Sequence, residues 1–304
     1  MPIYNDIESR MPGKLIVQGL YAIWSDPLSA ENQIHIIDLN EKKEIGTVGN
    51  IGNGPEEFIT PDFFLSYTDE IVVYDTNNDK MLTYSIDSIR EGRKEPISSL
   101  PQKTKGFARI IETGEKQFVS FAPNENESFQ TENGCVFGKY PFAGQGEILN
   151  NYNILQGNIA YNPERKLMVY ASIPFPYMAS YKKDKDSYTF VREFKGDFDY
   201  SISENRIILD KKKAGMMEMT LAKDYVVTLQ RDYRYDRTDE TKVGRDFNQL
   251  PQTLFVYDYD FKLKSIINLK SPILRIASDT RGNAVYAIIV KDDFTLVKCE
   301  LPPI

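Results

Sequence analysis

The chain has 304 residues, a formal net charge of -7 and a pI near 5.1. That acidity argues against a nucleic-acid or anionic-membrane partner, since affinity for phosphate groups comes largely from Lys and Arg displacing counterions. A hydrophobic share of 41% beside 27% charged residues suits a globular domain, and 19 Tyr and 17 Phe against one Trp lean toward strands, so an all-β fold is the starting expectation. The length is large for one core and small for two, unless the domain is a closed repeat that adds units around an axis, as a propeller does.

Cys135 and Cys299 lie far apart and belong to no CxxC pair, so the sequence points to neither a zinc site nor a disulfide framework. The stretch MPIYNDIESRMPGK has no basic region followed by an apolar one, and no run approaches the roughly 20 apolar residues of a membrane span. Direct membrane insertion is therefore not expected. The compartment would be periplasmic or cell-surface if an export segment was trimmed from the natural protein, and cytoplasmic otherwise.

Along the chain, short apolar runs are separated by Gly, Asn, Asp and Pro, and none holds a helical period for long. LIVQ, YAIW, IHIIDL and EIGTV form a first group of four between Leu15 and Val48. FFLSY, IVVYD and MLTYS follow from Phe63, with a weaker edge at Ile97 to Leu100. ARIIE, QFVSFA and CVFGKY occupy Ala108 to Tyr140, and IAY, KLMVYAS, YMASYKK and YTFVREF occupy Ile159 to Phe194. EMTLA, YVVTLQ, TLFVYDY and KSIINL fall between Glu218 and Leu269 around a long polar insertion, and ILRIAS, AVYAIIV and TLVKCEL end the chain. Six such units match the period of propeller blades. The predicted fold is one six-bladed β-propeller over 1-304, with four-stranded antiparallel blades at approximately 13-49, 58-100, 107-148, 157-196, 205-270 and 273-304. Ile3 to Ile7 is placed to close the ring by completing the last blade from the other terminus.

One stretch is more specific. GNIGNGPEEFITP resembles the blade-linking loop of NHL-type repeats, and IVVYDTNNDKMLTYS resembles the hairpin that follows it, in the same order. With the blade count and the closing TRGNAVYAIIVKDDFTLVKCEL, the whole chain is similar to the TolB-like six-bladed propeller family. That resemblance implies a propeller and, for many members, an exported lipoprotein of Bacteroides-type bacteria. The residue chemistry agrees with the loop reading. Gly49, Gly52 and Gly54 permit positive φ where the chain leaves one blade for the next, Pro55 sets a first turn, and Phe58 is placed to tuck between blades. Asn77 and Asn78 suit the left-handed positions of a tight turn.

Signatures of chemistry are sparse. The glycine spacing fits no phosphate-binding motif, and Glu56 and Glu57 stand where a phosphate would need positive potential, so no cofactor is expected. Asp75, Asn77 and Asp79 open like a calcium loop, but Lys80 and Ile86 replace its Gly and Glu, so a turn is expected and no metal. His35, the sole histidine, sits in a strand, and no GxSxG elbow accompanies it. SDTRGN at Ser278 to Asn283 faintly resembles the Asp-box turn of sialidases, lacks its Thr-aromatic ending, and reads as a connecting turn. The clusters Lys182, Lys183, Lys185 and Lys211, Lys212, Lys213 read as solvated tips.

Loop length gives a direction. In four-stranded blades the connections from second to third strand and from fourth strand to next blade emerge on one side. The long connections, Ser25 to Gln33, Pro123 to Gly134, Ile173 to Pro176, Gly196 to Gly215 and Arg231 to Gln252, are of this kind. Binding residues concentrate on such loops. RDYRYDR offers Arg231, Tyr233, Arg234 and Tyr235, whose aromatic area and forked donors suit protein or carbohydrate recognition. IPFPY offers Phe175 and Tyr177, with the competing reading that the prolines stiffen the loop and Phe175 fills a blade interface. The expectation is a non-catalytic, monomeric binding or protein-interaction scaffold. The alternative is a carbohydrate-active hydrolase or lyase with acidic residues at the mouth of the central channel.

Overall fold

The computed structural model describes residues 1–66, 68, 70–99, 109–122, 127–139, 141–142, 148–210, 214–234, 236 and 246–303. Chain contacts group into two compact units. One comprises Met1–Phe107, Thr238–Leu250 and Lys270–Ile304, and the other comprises Ala108–Arg237 and Pro251–Leu269.

The first unit opens with β1 (Pro2–Tyr4), β2 (Leu15–Gln18), β3 (Tyr21–Ser25), β4 (Asn32–Asp38) and β5 (Lys43–Asn50). It continues with β6 (Asp62–Leu65), β7 (Ile71–Asp75), β8 (Lys80–Tyr84), the short helix α1 (Ile86–Arg90) and β9 (Ser98–Ser99). The second unit holds β10 (Arg109–Gly114), β11 (Gln117–Phe121), β12 (Phe129–Thr131), β13 (Val136–Phe137), α2 (Asn151–Ile154), β14 (Gly157–Asn162), β15 (Leu167–Ser172), β16 (Tyr177–Asp184) and β17 (Ser187–Lys195). After these come β18 (Tyr200–Ser203), β19 (Arg206–Leu209), β20 (Glu218–Leu221), β21 (Tyr225–Leu229), β22 (Thr253–Asp258) and β23 (Leu263–Asn268). The chain returns to the first unit for β24 (Ile273–Ala277), β25 (Ala284–Val290) and β26 (Phe294–Glu300).

Within the first unit the sheets run β2-β3-β4-β5, β6-β7-β8-β9 and β24-β25-β26-β1, all antiparallel. The N-terminal strand therefore supplies the outer strand of the last blade, pairing Pro2 with Val297. In the second unit the sheets run β10-β11-β12-β13, β14-β15-β16-β17 and β20-β21-β22-β23. First strands pack side by side, β24 with β2 and β2 with β6 in one unit, β10 with β14 and β14 with β20 in the other. These six four-stranded antiparallel blades make the all-β, six-bladed propeller that the strand rhythm predicts.

The second strands β7, β15 and β21 are buried along their whole length, and burial alternates on outer strands such as β23. Ile23, Ile34, Ile36 and Val48 mesh with Phe63, Ile71, Val73 and Leu82, and Phe58 is sealed among them as the joint's anchor. Below the second unit's loops the core is aromatic, with Phe121, Phe129, Phe142, Tyr170, Phe175, Tyr177 and Tyr181 in one cluster.

The joint from Gly46 to Tyr84 is held by side chains that point at backbone. Gly54 N–H donates to Glu57 at 2.7 Å, and a Cβ on Gly52 would meet that same carboxylate at 2.0 Å, so the glycine makes room for it. Lys80 Nζ donates to the carbonyls of Gly54 and Glu57 and lies 5.6 Å from the Phe58 ring centre. Gly49 takes φ +81, as expected, whereas Asp79 at φ 48, not Asn77 or Asn78, occupies the left-handed position of the turn. The Asp75 side chain explains that shift: it already accepts from Asn77 N–H at 2.9 Å, which fixes Asn77 early in the turn.

Two connections read as loops contain strands. β12 lies within the Pro123 to Gly134 stretch, and the hairpin β18-β19 within Gly196 to Gly215. Each strand is only three or four residues long, too short to display a period in the sequence.

Candidate functional site

The second unit's long connections are joined by a run of hydrogen bonds. Tyr233 Oη accepts from Ala214 N–H at 2.8 Å, Gly215 N–H donates to Ile173 O at 2.9 Å, Ile173 N–H donates to Gln156 O at 2.9 Å, and Gln156 Nε2 donates to Tyr152 O at 3.1 Å. A Cβ on Gly215 would stand 2.3 Å from the carbonyls of Ser172 and Phe175, so only glycine lets these loops close on one another. The hairpin β18-β19 is fastened to the same surface through Asn150. Its Oδ1 accepts from Ile207 N–H at 3.0 Å and its Nδ2 donates to Ile207 O at 2.8 Å, while Leu149 N–H donates to Asn205 O at 2.9 Å. From this surface Leu149 (59% exposed), Tyr152 (49%), Ile208 (52%) and Tyr233 (56%) reach solvent.

The residues proposed from sequence separate into two sets. Tyr233 and Arg234 are exposed, and Arg231 is half-buried. Their loop is shaped by two buried acids: Asp232 Oδ1 accepts from Arg234 N–H at 3.0 Å, and Asp236 accepts from Asp232 N–H at 2.8 Å and Gln252 N–H at 3.3 Å. Asp236 therefore ties the two stalks of the insertion together. Tyr235, together with Lys211, Lys212 and Lys213, lies outside the described residues.

Phe175 and Tyr177 have no exposed surface. Phe175 packs 5.1 Å from Phe142 and 4.8 Å from Phe198, centre to centre, and Tyr177 Oη donates to Glu193 at 2.9 Å. Burial pushes the Tyr177 hydroxyl well above its ordinary range, and the neighbouring Tyr181, also buried, up to about 12. Burial would raise the Glu193 carboxyl too, but hydrogen bonds from Lys139 and Tyr177 outweigh it and hold it below its usual value. In this structure the pair supports the surface from beneath. The prolines beside Phe175 signal a loop, and the sequence does not reveal that the loop folds its aromatic ring inward.

A set of polar residues at the inner strands was not singled out by sequence reasoning. In the first unit Lys14 Nζ reaches Asp62 at 2.9 Å and Phe63 O at 2.6 Å, Tyr74 Oη donates to Asp62 at 2.7 Å, and Arg275 Nε donates to Gly13 O at 2.6 Å. In the second, Arg109 donates to Asn158 at 2.7 Å, and Asn158 Nδ2 lies 3.2 Å from the carbonyls of Met216 and Met217. The available signal was positional: apart from Tyr74, which reaches in from the second strand β7, each stands at or just before the first residues of a blade's first strand.

Hydrolysis of a glycosidic bond needs an acid held protonated by a raised pKa. Among the described residues the displaced carboxylates, Asp38, Glu41, Asp62, Asp75, Glu193, Asp258 and Asp279, are all displaced downward. For Asp62, burial works upward and is overcome by Lys14, Tyr74 and the Phe63 N–H. The inner-strand acid is thus an ion-paired brace between neighbouring blades, a poor proton donor. No cluster of His, Cys, Asp and Glu suited to a metal ion occurs among the described residues. His35 stacks on Trp24 with ring centres 4.2 Å apart and shares a 2.9 Å contact between Nδ1 and Glu44.

Neither a family model nor a curated protein sequence matches the chain. Among solved structures it is similar to a member of the DUF4221 family from Bacteroides vulgatus, with a TM-score of 0.62, 12% identity, and coverage of 99% of this chain and 96% of that one. It is also similar to the Cps50 (Swd1) β-propeller domain of Myceliophteria thermophila, with a TM-score of 0.50, 8% identity, and coverage of 97% and 99%. At these identities the likeness is one of fold, and that fold is the β-propeller.

Proposed function

We propose that the chain is a non-catalytic binding module that holds a protein partner on the long-loop side of its second unit. The carrying observation is one-sidedness. Leu149, Tyr152, Ile208 and Tyr233 are exposed on that side and are joined by its loop hydrogen bonds, whereas beside the opposite turns of the same unit the exposed large hydrophobics among the described residues are Val136 and Leu263, each at the start of a different blade's outer strand. Tyr233, whose hydroxyl is fixed by the Ala214 N–H, loses little entropy on binding, and the aliphatic Leu149 and Ile208 on the same side favour a protein over a sugar. A photo-crosslinking side chain placed at Tyr233, with one at Asp186 as the opposite-side control, would identify the partner. Tyr233→Ala with Arg234→Ala should then weaken its binding at least fivefold at an unchanged melting temperature. Unchanged affinity removes this face.

The resemblance of Gly46 to Ser85 supports a finer placement, as a TolB-like propeller with NHL-type joints whose natural form is an exported lipoprotein. Phe58, Glu57, Lys80 and Asp75 are each engaged as a blade joint requires. A signal with a lipobox cysteine in the full reading frame would bear out export, and a frame that starts translation at Met1 would overturn it.

A further inference from the structure

The hairpin β18-β19 stands on the long-loop side as a two-stranded sheet of its own. Its turn residues Glu204 and Asn205 have φ 50 and 56, the two-residue connection that matches strand twist. Ser203 opposite Arg206 and Ser201 opposite Ile208 are then the mutually bonded pairs, while Tyr200, Ile202, Ile207 and Leu209 aim their N–H and C=O groups outward. On the β19 edge that demand is met at Ile207, because the Asn150 carboxamide bonds both groups as a neighbouring strand would. On the β18 edge nothing among the described residues bonds the backbone of Tyr200 or Ile202.

Protein edges of this kind are ordinarily blunted by Lys, Pro or a bulge. β18 has none of these: its sequence is YSIS and its register is regular. Its surroundings are acidic instead. Residues 195–210 carry four exposed acids, Asp197, Asp199, Glu204 and Asp210, against two exposed cations, Lys195 and Arg206. A two-stranded hairpin is also an unfinished sheet that gains from a third strand.

We propose that the β18 edge takes up an extended, basic peptide segment by strand addition. Main-chain bonds to Tyr200 and Ile202 set the register, and Lys or Arg at alternate positions meets Asp199 and Glu204. The inference rests on the long-loop side being the binding face and adds the chemistry of the partner.

The test uses the full chain and a nine-residue peptide alternating Lys and Val with blocked ends, beside a Glu-Val counterpart. Fluorescence anisotropy gives affinity, and amide exchange reads residues 200–203. In the free protein the Tyr200 and Ile202 amides should exchange fast and slow on addition of the Lys-Val peptide, with the Glu-Val peptide binding about tenfold or more weakly. Ile202→Pro deletes an outward N–H without costing a hairpin bond, so it should weaken the Lys-Val peptide about tenfold, whereas Ile202→Ala, which loses the same packing against the aromatic cluster but keeps the N–H, should bind it within about twofold of wild type. Absence of binding by the Lys-Val peptide, amides already protected in the free protein, or full affinity in Ile202→Pro would each overturn the proposal. If a crosslinked partner responds to Tyr233→Ala but not to Ile202→Pro, the edge inference falls and the binding face stands. Response to neither removes the face itself.

Discussion

Asp75 offers the sharpest test of how the blades are joined. Its fully buried carboxylate accepts from Ile59 N–H at 2.6 Å, Thr60 N–H at 3.0 Å, Asn77 N–H at 2.9 Å and, more loosely, Thr60 Oγ1 at 3.4 Å. One side chain thus satisfies two amides of the linker entering its blade and one of its own turn. Hydrogen bonds to a charged group contribute about 1.5 to 3 kcal/mol each, and orphaned buried donors cost about 1 to 3. Because the three share one acceptor and water reaches part of the vacated space, we set Asp75→Ala at about 4 kcal/mol. Asp75→Asn keeps one acceptor oxygen and should lose about 2 kcal/mol.

The assay is urea unfolding followed by fluorescence of Trp24, the single tryptophan, which lies in the same unit as Asp75. With a slope near 3 kcal/mol/M, Asp75→Ala should move the midpoint by roughly 1.3 M. The sign of the pH dependence follows from linkage. Burial pushes the Asp75 carboxyl up, but the Thr60, Ile59 and Asn77 amides outweigh it and lower its pKa in the folded state. Its stabilisation is therefore complete above the unfolded-state pKa of about 3.9 and disappears as pH falls through the lower folded value. The gap between wild type and Asp75→Asn should be constant from pH 7 to about 5 and shrink below 4. A midpoint shift under about 0.3 M for Asp75→Ala, or a gap that widens in acid, would refute this account of the joint.

Three further outcomes follow from the same geometry. Gly157→Ala would place a Cβ 2.2 Å from the Tyr170 ring and 2.6 Å from Ala171 O, and should cost about 1 to 3 kcal/mol in thermal unfolding, whereas Gly282→Ala meets open space and should stay within about 0.5. Equal melting temperatures for the two would contradict the packing. Asn150→Ala removes both bonds to Ile207 and should speed exchange of the Ile207 amide at least tenfold without changing the global unfolding free energy by more than about 1 kcal/mol. Phe175→Ala empties a fully buried site and should cost about 3 to 5 kcal/mol by near-ultraviolet circular dichroism melts. A loss below about 1 kcal/mol would return Phe175 to the list of surface contacts.

The tight turns of the first unit show a further division of labour. Asp279, in the SDTRGN turn, accepts from Gly19 N–H at 2.6 Å and from Arg281 N–H at 2.9 Å, so this stretch braces one blade's turn against the next. Its carboxyl is held low, burial being outweighed by the Arg281 and Gly19 donors. Asp38 serves similarly, accepting from Asn40 and Glu41 N–H at 2.9 Å and from Arg90. Aspartates at strand ends are thus mainly structural in this protein, which is why their abundance gives little indication of catalysis.

Much of the architecture is legible in the sequence because it depends on neighbours along the chain. Short apolar runs bounded by Gly, Asn and Asp at turns mark most strands, and the segment from Gly46 to Tyr84 marks a blade joint through residues no more than about one hairpin apart. The site is another matter. Phe175 and Tyr233 look alike as loop aromatics, yet one is sealed in the core and the other is propped open by Ala214 N–H. Lys14 meets Asp62 across 48 residues, and Asn150 completes Ile207 across 57. Such pairings arise only when sheets stack and bring separate blades within hydrogen-bond reach. Local sequence determined which segments become strands and turns; the stacking of those strands decided which side chains became braces, which became floor, and which were left facing solvent.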